Sequence, residues 1–461
     1  MSYHASGQRA LSLLAVSLAV PAAAQPYRGL YVVAVPGVNV SKAAHAQAAA
    51  YRKNFIDGVE IPLHWNFIEP AAPGQTLPPN AGIINQITGE AFCPAGTRGT
   101  NFCWQELDEQ LKLIGTEKKL SLALVAGGFS PPWLATNPAY NVAVAGPVLY
   151  ASHGGTGPNC FSIDLDLVSS GAVAPGGAPS SFAAAYVAAV KVIAAHLASQ
   201  GRLAQVAMIK VSGGVNNVTE EFHLDDATTT TGSCYSAATP LWSMLGYTPT
   251  ATETAWKYIA TNVAAQFPGA LMSFDIVENS YTTSPLIDDA GTIFTVSQYI
   301  ANPSLYGTLL LDRALADLVP GFGAQGILGA APVSVQWNGV APADQQTLST
   351  IATHTLAAAA AGAVIGWQAN ELYNTAGSSC GAAACSAATS TATICYGTAT
   401  CVAEYASLLD NGLSPMPGSP VAPAYFEVWP VDVNNPCLTQ AHVAAHNSLT
   451  GDSLTVRSTC K

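Results

Sequence analysis

The chain has 461 residues, of which only 10% are Asp, Glu, Lys or Arg, against roughly 25% in an ordinary soluble domain. A formal net charge of -12 without any Lys/Arg cluster argues against nucleic acid and anionic membrane surfaces as partners, because both demand concentrated positive charge. A neutral, polar ligand suits such a chain, and each carboxylate beside an apolar run becomes informative.

The first segment, MSYHASGQRALSLLAVSLAVPAAAQ, places one Arg before an apolar stretch from Leu11 to Val20, followed by Pro21, Ala22, Ala23 and Ala24. This layout predicts a signal peptide over residues 1–24 and a secreted or periplasmic mature chain over 25–461. The apolar stretch is shorter than the roughly 20 residues that a membrane span needs, so no stable membrane insertion is expected. Ten cysteines, an even number, read as disulfides in an oxidising compartment. No CxxC pair occurs and the nine His form no HExxH or HxH cluster, so neither a metal nor a cofactor is expected.

Eight short apolar runs follow in order: LYVVAVPG (30–37), GVEIPLHW (58–65), KLSLALVAGG (119–128), QVAMIKVSGG (205–214), ALMSFDIVEN (270–279), APVSVQWNG (331–339), AGAVIGWQANE (361–371) and AYFEVWPVD (424–432). Helical patterns separate them, among them WQELDEQLKLIGTEK and FAAAYVAAVKVIAAHLASQ. Strands alternating with helices imply a parallel sheet, and eight of them are the number that closes a (β/α)8 TIM barrel. An open doubly wound sheet shares the alternation, but VPGVNV after the first run lacks the Gly-rich phosphate fingerprint. The expectation is a single α/β barrel domain with a short C-terminal extension at about 436–461.

Most segments from helix to strand are short, whereas most from strand to helix are long, at 66–102, 129–180, 215–251, 280–303 and 372–400. Such barrels build their sites from the strand-to-helix loops at the C-terminal face. The cysteines fall there too: Cys93 and Cys103 after the second run, Cys160 after the third, Cys234 after the fourth, Cys380, Cys385, Cys395 and Cys401 after the seventh, Cys437 and Cys460 after the eighth. Cross-linking these Gly- and Ser-rich loops removes chain entropy from the unfolded state; the connectivity stays open.

Glu371 ends the seventh run, in GWQANE, which combines an aromatic plane with two amides, a lining suited to sugars. A second carboxylate source follows the fourth run in VSGGVNNVTEEFHLDD, with Glu220 and Glu221. Glycoside hydrolysis needs two carboxyl groups, one to protonate the departing oxygen and one to attack the sugar or activate water. Against this, TEE is also an ordinary helix opening, with Thr as cap and acids at the positive end of the dipole.

DGVEIPLHWNFIEPAAPG, with Gly-Val leading to Trp, Ile-Glu-Pro and a Gly-terminated turn, resembles the second-strand signature of the retaining glycoside hydrolases of clan A. WQELDEQLKLIGTEKKLSLALVAGGFSPPWL is similar to the helix and third strand that follow in those enzymes. The resemblance is specific over residues 30–134 and rests on strand order elsewhere. It implies an acid/base Glu after the fourth strand, matched by Glu221 or Glu220, and a nucleophile at the end of the seventh, matched by Glu371. Those enzymes carry Asn just before the acid/base Glu; here Thr219 and Glu220 stand there, with Asn216 and Asn217 nearby. Glu221, beside Phe222 and His223, is the preferred acid/base.

Further candidates for binding an oligo- or polysaccharide are His64, Trp65, Asn216, Asn217, Glu278, Asn279, Gln336, Trp337, Trp367, Gln368 and Trp429. Glu60 and Glu427 lie within strands and are expected to make internal hydrogen bonds or ion pairs. No GxSxG elbow supports a serine hydrolase. The alternative function is a secreted carbohydrate-binding or surface protein on a barrel without catalysis, since fold does not fix function.

Overall fold

Eight strands pair edge to edge in one closed ring of parallel neighbours: β1 Gly29–Val33, β2 Gly58–His64, β3 Lys119–Val125, β4 Val206–Lys210, β5 Leu271–Val277, β6 Val333–Val340, β7 Val364–Ala369 and β8 Tyr425–Val428. The structure, a computed structural model, describes residues 27–34, 42–76, 100–126, 131, 133–136, 182–211, 258–277, 286–287, 290, 293–294, 333–340, 363–369, 399–413, 423–457 and 460. β1 closes the ring by pairing with β8, Tyr31 opposite Glu427, and with β2, Tyr31 opposite Gly58. Each strand falls within or beside the run expected from the sequence, in the expected order. A two-residue antiparallel ribbon, 286–287 with 293–294, lies apart from the ring.

Side-chain parity divides the barrel wall into two faces. Leu30, Val32, Val59, Ile61, Leu63, Leu120, Leu122, Leu124, Ile209, Met272, Phe274, Ile365, Phe426 and Val428 belong to one large core cluster with the helices. Alternate positions on the same strands turn inward, where Tyr31, Met208, Leu271 and Tyr425 form a separate cluster and Ala123 and Val125 another. Because successive strand residues point to opposite faces, this division assigns the inward row without ambiguity. Gly58, Glu60 and His64 take it on β2, Met208 and Lys210 on β4, Gly366 and Gln368 on β7, and Tyr425 and Glu427 on β8.

The helices include α1 Lys42–Tyr51, α2 Trp65–Ile68, α3 Gln105–Ile114, α4 Trp133–Thr136, α5 Phe182–Ser199, α6 Ala399–Leu413, α7 Pro430–Val433 and α8 Thr439–Thr450. Residues 258–264 are also helical. α3 shows why such segments form: Leu107, Leu111 and Ile114 recur on one buried face, Glu106 and Asp108 occupy the first turn, and Gly115 at φ 75° ends it with its N–H on Leu111 O. Acids suit the positive end of the dipole and glycine carries the positive φ. The patterns at 305–319 and 343–361 lie outside the described residues.

α8 lies within the stretch expected to be only a short extension. It packs against β1 and α6, with His442 and His446 buried on its inner face. His442 stacks on Phe55 at 5.7 Å and meets Tyr405 Oη through Nε2 at 3.1 Å.

Candidate functional site

The barrel interior is layered from its N-terminal end to its C-terminal mouth. Aromatic side chains make the floor: Tyr31 and Tyr425 meet edge to face, ring centroids 6.0 Å apart, beside Tyr27, Met208 and Leu271. Two glycines make room for them, since a Cβ on Gly58 would fall on the Tyr31 ring and one on Gly366 on the Tyr425 ring. Tyr27 Oη donates to Gly269 O at 2.5 Å and pins the floor to the chain before β5.

A charged layer sits on this floor. Lys210 Nζ is 2.7 Å from Glu60 Oε1 and 2.8 Å from Glu427 Oε2, and all three side chains have no solvent exposure. Gln368 Nε2 donates to the same Glu427 oxygen at 3.1 Å. The ammonium joins β4 to β2 and β8, and the Glu427 carboxylate extends the connection to β7 through Gln368. A buried charge survives in a protein only when paired and hydrogen-bonded, which is what the two carboxylates supply. The internal role expected of Glu60 and Glu427 is the one observed.

At the mouth, inward parity brings up His64, which is 8% exposed and packs on Phe67 at 5.2 Å. Gln368, 7% exposed, is the inward residue nearest the end of β7. Just past β8, Trp429 is half-buried and its Nε1 donates to Ala369 O at 2.8 Å, tying the exit of β8 to that of β7.

An aromatic shell backs the mouth beside β2. Trp65 is wholly buried, edge-on to Tyr186 at 5.5 Å and to Trp133 at 6.3 Å. Its Nε1 donates to Glu69 Oε2 at 2.7 Å, Asn101 Nδ2 donates to Glu69 Oε1 at 2.8 Å, and Trp133 Nε1 donates to Glu69 O at 3.0 Å. Burial pushes the Glu69 carboxyl up to about 8, outweighing the two hydrogen bonds that favour its charged form.

The expected site residues divide accordingly. His64 and Gln368 occupy the inner wall. Trp65 and Trp367 belong to the core between strands and helices, with Trp367 only 2% exposed, because each shares the outward parity of its strand. Gln336 is in register with Gly366 and Trp337 with Trp367. Glu220, Glu221, Glu371, Asn216, Asn217, Glu278 and Asn279 lie outside the described residues, as do Cys93, Cys160, Cys234, Cys380, Cys385 and Cys395. Cys103 is disulfide-bonded, Cys437 and Cys460 form a disulfide with Cα atoms 4.5 Å apart, and Cys401 lies in α6.

Two residues of this region were not foreseen. Lys210 reads as an interior strand residue whose only signal is a lone cation in an apolar run. Glu69 appears in the sequence only as part of Ile-Glu-Pro. Among the described residues no group of three or more His, Cys, Asp or Glu could hold a metal ion, and no helix is long and apolar enough to cross a membrane.

No protein-family model matches the chain, and no curated protein matches it in sequence. Solved structures similar to it include the catalytic domain of beta-amylase from Paenibacillus polymyxa, at 10% identity and a TM-score of 0.44, covering 92% of this chain and 98% of that one. An intracellular xylanase from Thermoanaerobacterium saccharolyticum, in complex with xylotriose, is similar at 12% identity and a TM-score of 0.40, covering 88% and 87%.

Proposed function

We propose that the protein is a secreted glycoside hydrolase that cleaves O-glycosidic bonds of an oligo- or polysaccharide by a retaining two-carboxylate mechanism. The observation that carries this reading is the closed parallel ring, in which β4 ends at Lys210 and β7 at Ala369. The segments bearing Glu220, Glu221 and Glu371 therefore leave the barrel at the same end, the end where such barrels build their sites. His64, Gln368 and Trp429 at that end offer an imidazole, an amide and an aromatic edge to a sugar.

In this mechanism Glu221, or Glu220 in its stead, protonates the glycosidic oxygen as the bond to the anomeric carbon breaks. The Glu371 carboxylate attacks that carbon from the opposite face and forms a glycosyl ester. The first carboxylate then takes a proton from water, which releases the sugar with its original stereochemistry. Retention requires the two carboxyl groups to be about 5 to 5.5 Å apart, whereas about 6.5 to 9.5 Å indicates inversion.

The test is a panel of aryl glycosides and soluble polysaccharides with three variants. Glu371→Gln keeps size and hydrogen bonding but removes the attacking charge, and turnover collapses. Glu221→Ala keeps part of its rate on substrates with good leaving groups and is rescued by azide; if the rescue instead belongs to Glu220→Ala, the acid/base is Glu220. A fluorinated glycoside inactivator labels the peptide holding Glu371. Binding without turnover or labelling would instead favour a non-catalytic carbohydrate-binding barrel, a reading that the Thr-Glu pair before Glu221 keeps in play.

Export is part of the proposal. The Cys437–Cys460 disulfide and the disulfide-bonded Cys103 fit an oxidising compartment. Intact mass of secreted material should begin at Gln25, and thiol titration under denaturing, non-reducing conditions should find essentially no free thiol.

A further inference from the structure

Two hydroxyl groups inside the barrel differ from the rest of its wall. Tyr31 is 1% exposed and Ser121 0%, and neither Tyr31 Oη nor Ser121 Oγ meets a hydrogen-bond partner among the described residues. Both belong to the inward row, Ser121 because Leu120 and Leu122 on either side of it join the outer core. Burial above all, and after it Asp57, Tyr27 and Glu427, push the Tyr31 phenol well above the usual tyrosine range. Its O–H therefore stays a donor that calls for an acceptor. A buried hydroxyl without a partner is costly, and native proteins leave few of them unsatisfied.

The opposite half of the floor shows such a pair closed. Tyr425 on β8 lays its ring over Gly366 on β7, where a Cβ would fall 2.0 Å from Cζ, and its Oη comes within 3.4 Å of Ser273 Oγ on β5. Tyr31 on β1 leans the other way around the ring. It lies over Gly58 on β2, where a Cβ would fall 2.4 Å from Cε1, and so carries its hydroxyl toward β3, the strand of Ser121. Ser121 is in register with Glu60 of the charged layer. The inward residues on this side, Gly58, Ser121 and Ala123, are small, whereas barrels of this kind usually fill their interior with bulky branched side chains.

We propose that Tyr31, Ser121 and Glu60 form a binding site for one internal water molecule, held between the tyrosine floor and the charged layer. The water accepts from Tyr31 Oη and from Ser121 Oγ and donates to the Glu60 carboxylate. That makes three hydrogen bonds, the number a buried water typically forms. Glu60 keeps its ion pair with Lys210 at 2.7 Å, since a carboxylate has about four lone-pair sites to share. The water joins β1, β2 and β3 across Gly58, where no side chain spans the three strands. This site does not depend on the glycosidase reading.

One structure and two conservative variants test it. A high-resolution crystal structure of the full chain shows a solvent peak within hydrogen-bond distance of both Tyr31 Oη and Ser121 Oγ; a well-ordered interior without that peak overturns the proposal. Tyr31→Phe and Ser121→Ala each remove one hydroxyl and keep the remaining shape of the side chain. If the hydroxyls were orphans, removing them would leave the chain as stable as wild type or more so. With the water bound, each variant lowers the folding equilibrium constant by roughly fivefold, read by urea titration.

The double variant distinguishes one shared partner from two separate ones. It loses less than the product of the two single losses, because the water leaves with the first hydroxyl. Losses that simply multiply, or single variants at wild-type stability, overturn the shared site.

Discussion

The two ends of the barrel are held together by different chemistry. At the N-terminal end the described connections into the strands are short, and side chains bond directly to main-chain carbonyls. Lys118 Nζ donates to Lys53 O at 3.1 Å and also to Ile56 O. Arg202 donates to Leu111 O at 3.1 Å and to Gly115 O at 2.5 Å, and Gln205 Nε2 to Gly115 O at 2.9 Å. Asp57 Oδ2 accepts from Leu30 N at 2.9 Å and meets His446 Nδ1 at 3.0 Å. At the mouth, side-chain partners join the main-chain ones: a carboxyl clasped by an indole and an amide, an imidazole packed against a ring, an amide bonded to a carboxylate, beside indoles that donate to Glu69 O and Ala369 O. Main-chain partners fix geometry regardless of what passes nearby; side-chain partners can be exchanged for those of a ligand. The same barrel thus keeps its stability at one end and its options at the other.

Substitutions can break this contrast, and the harshest lies at the boundary between the ends. Lys210→Met leaves two carboxylates without their shared cation and should cost about 3–5 kcal/mol of unfolding free energy, measured by urea titration. If it costs nothing, the charged layer is not what joins the four strands.

The pH dependence of stability sharpens the contrast next. Glu69, at the mouth, holds its proton up to about 8 against an ordinary 4.5, so the folded chain keeps a proton that the unfolded chain releases. Stability then falls as pH rises from about 4.5 to about 8 and levels off above. His442, packed beneath β1, is pushed down by burial to about 3 from an ordinary 6.5. There the unfolded chain takes a proton that the folded one refuses, and stability falls as pH drops from about 6.5 to about 3. Glu69→Gln should flatten the upper limb and His442→Phe the lower, each without touching the other, in melting curves taken across pH 3 to 9.

Smaller effects follow. Gly366→Ala drives a methyl into the Tyr425 ring and should cost about 1–3 kcal/mol, read by urea titration. Arg202→Ala removes donors from two carbonyls at the N-terminal end and should cost about 1–2 kcal/mol while kcat/KM stays at the wild-type value. Trp429→Phe, at the mouth, keeps the ring but loses the bond to Ala369 O and should change stability by only about 0.5–1.5 kcal/mol, while raising KM. An Arg202 variant that alters KM, or a Trp429 variant that does not, would erase the distinction between the ends.

Much of the wall was legible in the sequence because its outward row is uniformly aliphatic: Val59, Ile61 and Leu63 on β2, or Leu120, Leu122 and Leu124 on β3. The same alternation carried information about the site. Trp65 continues the odd-numbered outward row of β2, and Trp367 follows Ile365, so parity marks both as core, whereas proximity to a loop suggested substrate contact. His64 follows Glu60, and Gln368 follows Gly366, on the inward row. Parity stops at Ala369, where β7 ends, and so says nothing about Glu371.

Less legible were the groups whose importance lies in partners far along the chain. Lys210 finds Glu427 across 217 positions, a pairing no local pattern encodes. α8 escaped notice because its buried face uses His442 and His446 where the usual signal is leucine. Glu69 gave no sign of its environment, since its partners Asn101 and Trp133 lie 32 and 64 positions further along the chain.

The closure of β1 against β8 has a consequence in time. Gly29 is opposite Tyr425, 396 positions later in the chain (425 minus 29). At a synthesis rate of roughly 5–20 residues per second, β1 waits on the order of 20–80 seconds before its second neighbour exists. Until then the sheet has two open edges, each a template for the wrong strand, and the low charge of the chain does little to repel an intruder. A nascent chain of this design gains by being kept unfolded until its last strand is made, and by being released all at once.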